Sequence, residues 1–304
     1  MSNSRYKYSE SNDSLKKCIN LNLEQMSNPR LRIFRLLSGT ATVTDTYANK
    51  KYRFRRNYFH LPYEDNHSKK RAKCILGLFP GEDITLCDIL GMFANRTTNP
   101  DFFSKIEGEI IRSLIAIHKD SYIDAFIHMY RTIECMAYAI PLLYASRSKD
   151  YIKTYELLKS CFTDNGSGGE LTFFKKFIET TFPNEDFLHL TIDLSLSSEE
   201  YECDQDNLRR LIVKHAQRKN GYLFNGNPGD TDFDFDFMNF FSFLTTLRNR
   251  YFHLLQGGWQ DNISRADTEY PELLFKAIIH SGLNWVAIIL FEILKLDIEK
   301  NNIR

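Results

Sequence analysis

The chain is 304 residues long, with 43% hydrophobic, 14% aromatic and 26% charged residues, which fits one large or two ordinary globular domains and excludes disordered, collagenous and small disulfide-stapled classes. Lys plus Arg and Asp plus Glu both number 39, so affinity for a polyanion has to come from a local patch and not from net charge. Six widely spaced cysteines, Cys18, Cys74, Cys87, Cys135, Cys161 and Cys203, show no CxxC or Cys/His clustering; no metal site or cofactor is expected, and the thiols read as reduced, as in a cytoplasmic protein.

The start, MSNSRYKYSESNDSLKK, is polar and lacks the apolar core of a signal peptide. Residues 30–75 carry β-branched and aromatic runs, LRIFRLL, TATVTDTYA and KYRFRRNYF, that fit strands. Charge is segregated here: Asp45 to Lys73 holds nine Lys/Arg against three acids, whereas Asn184 to Asp206 holds eight acids and no Lys or Arg. The stretch Lys50 to His60 alternates charge with rings, which suits either phosphate contact with base stacking or a basic strand edge that discourages pairing. Residues 1–98 are therefore expected to form a small mixed α/β region, regulatory or in contact with RNA or a partner.

From Asn99 the pattern turns helical. Phe103, Ile106, Ile110, Leu114 and Ile117 recur at helical spacing behind Asn99-Pro100-Asp101, predicting a helix over 101–118. Tyr122, Phe126, Met129, Ile133, Met136 and Ile140 predict another over 121–145, with a kink at Pro141. Helices are expected at 150–162, 170–181 and 205–218, and 219–231, with Asn225-Gly-Asn-Pro-Gly229, reads as a break. Two longer helices, Asp232–Gln256 and Tyr270–Leu296, close the chain, the first stopped by Gly257-Gly258. Trp285 and its apolar neighbours read as core; the stretch Gly282 to Phe291 is about half the ~20 residues a membrane span needs, so no membrane association is expected. The fold class is mainly α, with a helical domain over 99–304.

GxxxxGK[ST], GxSxG and HExxH are all absent, which removes nucleotide-hydrolysing and zinc-protease readings. What remains is Arg248-Asn-Arg-Tyr-Phe-His253 near the end of a late helix. Phe240, Leu244, Leu247, Tyr251 and Leu254 form one apolar stripe for the domain's own core. Asn249 and His253 are i,i+4 partners on another side, with Arg248 between the faces. A second apolar row, Phe237, Phe241 and Phe252, implies a further covering surface, from this chain or from a second copy.

Arg-Asn-x-x-x-His at that position resembles the R-x(4–6)-H signature of the HEPN ribonucleases, over about residues 99–300. The resemblance implies a helical bundle that dimerises through the motif helix and cuts RNA, tRNA or mRNA, without a metal ion. It implies that His253 moves protons between the ribose 2′-OH and the 5′-O leaving group, that Arg248 holds the scissile phosphate and offsets charge, and that Asn249 orients one of them. The product would be a 2′,3′-cyclic phosphate. A toxin or phage-defence effector is the implied setting, silenced by the N-terminal region, by the acidic 184–206 segment or by a separate antitoxin or sensor protein. Where some members carry an aromatic two residues after the His, this chain has Leu255, so that subgroup's tyrosine-modification control is not implied.

Spacing alone is common: with 19 Arg and 8 His, chance gives about 1.5 such pairs. Arg53 and Arg55 to His60, Arg112 to His118, and Arg209 and Arg210 to His215 also satisfy it. Only Arg248 has Asn next to it on a strongly periodic helix. Asp124, His128, Arg131 and Glu134 form a further polar row on one helix, read either as an internal ion-pair stripe or as support for His253. The competing functions are a non-catalytic HEPN-like module that binds RNA, a nucleotide or a protein, and a helical scaffold.

Overall fold

The computed structural model describes residues 5–10, 22–24, 27–59, 93, 99–162, 169–182, 186–196, 202–253, 262–264, 267 and 270–301. Among them are eight α-helices, so the chain is mainly α, with strands near the N-terminus as expected. It divides into two compact units, Met1–Thr132 with Val286–Arg304, and Ile133–Trp285.

The first unit contains an antiparallel sheet in the order β1 (Tyr6–Glu10), β2 (Ala41–Asp45), β3 (Lys50–Arg53). The run LRIFRLL is not a strand but most of helix α1 (Pro29–Leu37). Its start signal outweighs its β-branched content: Asn28 caps the Arg30 N–H at 2.9 Å and Pro29 occupies the first turn. Every residue of α1 except Arg32 is buried, including Arg35, which pairs with Glu10 at 2.5 Å. After α1 the chain turns on Gly39 at φ 65°, where a Cβ would fall on the backbone carbonyls of Arg55 and Arg56.

The ring-and-charge alternation of Lys50 to His60 is that of an edge strand and its continuation. Tyr52 and Phe54 are buried beside the His118 ring, while Lys51, Arg53 and Arg55 face solvent. The rings are thus core residues, which corrects the base-stacking alternative; His60 lies outside the described residues. Helix α2 (Pro100–Ile117) buries Phe103, Ile106, Ile110 and Leu114, as their spacing predicts. Helix α3 (Tyr122–Arg147) starts in this unit, where Ser113 Oγ of α2 donates to the Ala125 carbonyl at 2.8 Å.

The second unit holds the rest of α3, with Ile133, Met136 and Ile140 buried and Pro141 inside the helix. Helices α4 (Tyr151–Cys161), α5 (Glu170–Thr181) and α6 (Glu202–Ala216) follow the expected spans closely. Strands β4 (Thr191–Ser195), β5 (Gln217–Arg218), β6 (Gly221–Tyr222), β7 (Phe224–Asn225) and β8 (Asp232–Asp236) were not expected here. The three-stranded sheet has the order β4-β8-β7. Residues 232–236 are therefore strand and not the first turn of a helix. Asp-Phe-Asp-Phe-Asp has period two, with Phe233 and Phe235 fully buried and the acids outward. Asp193 of the acidic segment stands directly opposite Asp234, and burial, then the Asp234 charge, raises its carboxyl above the usual range.

Two helices complete the chain, α7 (Phe237–Phe252) and α8 (Pro271–Asn301). Gln256 and Gly257-Gly258 lie outside the described residues. Over Pro271–Glu292 α8 is long and apolar enough to cross a membrane, which corrects the shorter stretch seen in the sequence. That window is 78% buried inside the chain, the behaviour of a core helix.

Candidate active site

Helix α7 is held by both of its apolar rows. Of the first stripe, Phe240, Leu244 and Leu247 are fully buried, Tyr251 is half-buried and Leu254 lies outside the described residues. Phe237 and Phe241 stack on Trp285 at 5.4 and 5.0 Å, and Phe241 meets Phe174 edge-on at 6.0 Å. The Trp285 indole N–H donates to the Phe237 carbonyl at 3.0 Å. The surface that the second row requires is therefore this chain's own, and Phe237 and Phe241 offer nothing to a second copy. The remaining face of α7 is polar.

The helix ends at Phe252. His253 leaves it at φ −115°, ψ 81°, while its backbone N–H still donates to the Asn249 carbonyl at 3.2 Å. Five residues along a continuous helix are separated by about 140°; here, at the helix end, the His253 ring and the Arg248 guanidinium nevertheless meet. Arg248 Nη1 meets His253 Nε2 and donates to Asn249 Oδ1 at 3.1 Å. Arg248 Nη2 donates to Glu134 Oε1 of α3 at 3.1 Å. Arg248, Asn249 and His253 are thus brought together, although Asn249 and His253 were expected to pair with each other on a side of their own.

The chemistry follows from donor and acceptor capacity. A guanidinium has donors only, so an imidazole can accept from it only through a ring nitrogen that carries a lone pair. Side chains of Arg248 and Glu134 are 29% and 35% exposed, enough for a substrate oxygen to reach them. Glu134 balances one positive charge and fixes the fork of the guanidinium.

The four-residue row on α3 does not act as one group. His128 Nδ1 meets Glu109 Oε2 at 2.7 Å and Arg131 lies 3.5 Å from Glu109, whereas Glu134 serves Arg248. Glu109 pairs with Arg112 three residues on along its own helix, but its contacts with His128 and Arg131 on the next helix had no sequence signal. Two more cations border the polar face of α7 and were also missed. Lys175 donates to Ser242 Oγ at 2.8 Å and Arg218 to Asn239 Oδ1 at 3.2 Å. Burial lowers the Lys175 ammonium below its usual range, with Arg218 adding to the effect against Glu179.

The other Arg–His spacings are structural where they are described. Arg112 pairs with Glu109 at 3.2 Å while His118 packs on Tyr52 and Phe54; Arg209 pairs with Asp206 at 2.9 Å and His215 is buried. Among the described residues no three His, Cys, Asp or Glu side chains converge to hold a metal ion. Comparison with family models, characterised proteins and solved structures returned no match.

Proposed function

We infer that the protein is a cytoplasmic endoribonuclease of the HEPN type, cutting RNA by attack of the ribose 2′-OH without a metal ion. The observation that carries this reading is the Arg248 guanidinium bonded to His253, Asn249 and Glu134 at a half-exposed helix end. A phosphate competing for Arg248 releases His253 Nε2, which then takes the 2′-OH proton as the 2′-O–P bond forms. Arg248 offsets the charge gathering on the phosphoryl oxygens. The P–O5′ bond breaks, the proton passes to the 5′-oxygen, and the products are a 2′,3′-cyclic phosphate and a 5′-hydroxyl. Asn249 keeps the guanidinium in register.

Lys175 and Arg218 extend this site along α7, which rises about 20 Å from Asn239 to Phe252, long enough for several nucleotides of single-stranded tRNA or mRNA. We place the activity in a toxin or phage-defence effector controlled by a partner protein, and acting as a homodimer. Purified protein incubated with total tRNA and a long mRNA in EDTA tests the activity. Wild type is expected to produce fragments, and His253→Ala and Arg248→Ala none. RNA that is bound but stays intact with wild type, both in the tube and on expression in cells, would instead support a binding module.

A further inference from the structure

In the first unit a cavity of about 270 Å³ opens beside Tyr6, α2 and the start of α3. Arg5, Arg112, Lys119 and His128 line it against one carboxylate, Asp124. Ile115 and Ala116 give it an apolar side.

Two buried carboxylates behind the wall hold three of these groups. Asp45 accepts from Arg5 Nε at 3.2 Å and Nη2 at 2.8 Å, and the Arg5 hydrogen bond holds the Asp45 carboxyl below its usual range. Glu109, with its side chain 10% exposed, accepts from Arg112 Nη1 at 3.2 Å and meets His128 Nδ1 at 2.7 Å. Arg5 and Arg112 are nevertheless about half exposed, at 51% and 48%. Each guanidinium has five N–H donors, so both keep outward donors after their buried partners are served. A cation anchored from behind and open in front is preorganised for an anion. Asp124, the one acid on the wall, accepts from Ser121 Oγ at 2.8 Å at the start of α3.

We propose that this cavity binds a small organic phosphate, of sugar-phosphate to mononucleotide size, with its phosphate on Arg5, Arg112 and Lys119 and its organic part against Ile115 and Ala116. Planar guanidinium forks match phosphate oxygens. Three cations lining one cavity suit a phosphate monoester, which carries about −1.5 to −2 charges at neutral pH. The volume lies a little below the ~300 Å³ at which small-molecule pockets begin, which suits a compact ligand. This site stands independently of the ribonuclease reading.

Calorimetric titration of the full chain with ribose 5-phosphate, AMP, ribose and inorganic phosphate at constant ionic strength tests it. Saturable binding of ribose 5-phosphate or AMP is expected, with inorganic phosphate weaker and ribose silent. Lys119→Gln, in an exposed turn, should weaken binding severalfold at unchanged circular dichroism and Tm, and Arg112→Gln with Lys119→Gln at least tenfold with the fold retained by circular dichroism. Asp124→Asn keeps the oxygen that accepts from Ser121 and should tighten binding. No binding by either organic phosphate, or affinity indifferent to Lys119→Gln and Asp124→Asn, would overturn the proposal. Inorganic phosphate binding as tightly as ribose 5-phosphate would also overturn it, leaving only an anion site.

Discussion

Glu134 of α3 accepts a hydrogen bond from Arg248 Nη2 at 3.1 Å, joining residues 114 positions apart in the sequence. The contact turns a pair of residues near one helix end into a fixed constellation. Arg248 spends one amino group on Glu134 and presents the other to Asn249 and His253. Glu134 touches no reacting atom in the proposed reaction, so it is a positioning residue.

Glu134→Ala should therefore lower kcat for RNA cleavage about tenfold, less than His253→Ala, with the fold intact. Glu134→Gln retains a carbonyl acceptor for Arg248 and should recover part of the loss. Single-turnover rates for the three variants check the order; equal rates for wild type and Glu134→Ala would remove Glu134 from the site.

Lys175 and Arg218 lie outside the Arg-x4-His motif, and in the proposed function they contact the RNA backbone. Lys175→Gln and Arg218→Gln should each raise KM severalfold with kcat nearly unchanged. Each lost phosphate contact should also reduce the slope of log affinity against log salt by about 0.7 for a single strand. Filter-binding titrations over a range of salt concentrations read that slope directly.

The helical part of this arrangement was legible in the sequence, and its tertiary part was not. Phe103, Ile106, Ile110 and Leu114 predicted α2 from their period, and Phe240, Leu244 and Leu247 predicted the buried side of α7. Arg248 and His253 stood out by spacing, but five other pairs shared it, and spacing does not tell that this pair touches at the helix end. Two local patterns override the apolar runs around them: Asn28-Pro29 makes a helix of a β-like run, and the alternation Asp-Phe-Asp-Phe-Asp makes a strand of an apparent helix start. Lys175 and Arg218 gained their roles from neighbours distant in sequence, and Glu109 from His128 on the next helix as well as from Arg112 on its own, which no local pattern encodes in full.

A stability prediction tests the first unit. The Arg35 and Glu10 side chains are both 0% exposed and pair at 2.5 Å, with Arg35 also donating to Thr40. Glu10→Ala leaves a buried guanidinium without its carboxylate and should cost about 3–5 kcal/mol. Urea unfolding followed by circular dichroism measures it, and a loss below about 1 kcal/mol would mean that the charge finds other compensation.

Asp267 gives a pH prediction for the segment that follows the motif. Burial opposes its ionisation, but the Ser264 N–H and Oγ at 2.8 and 2.7 Å and Lys214 at 2.9 Å outweigh that and bring its pKa down to about 2. Because the folded value lies below the ordinary one, the stabilisation is fully present above pH 4 to 5 and is lost as pH falls toward about 2. Screening at this partly exposed pair reduces it to the order of 1 kcal/mol. Asp267→Asn should lower Tm at pH 7 and leave it closer to wild type near pH 2.5, as a thermal scan across pH will show.

The chemistry of the new RNA ends tests the ribonuclease reading most directly. Total RNA treated with wild type in EDTA should yield ends joined by a ligase that accepts only 2′,3′-cyclic phosphates, and RNA treated with His253→Ala should yield none above background. Fragments ending in 3′-hydroxyl, or cyclic-phosphate ends produced equally by His253→Ala, would contradict 2′-OH attack assisted by this histidine.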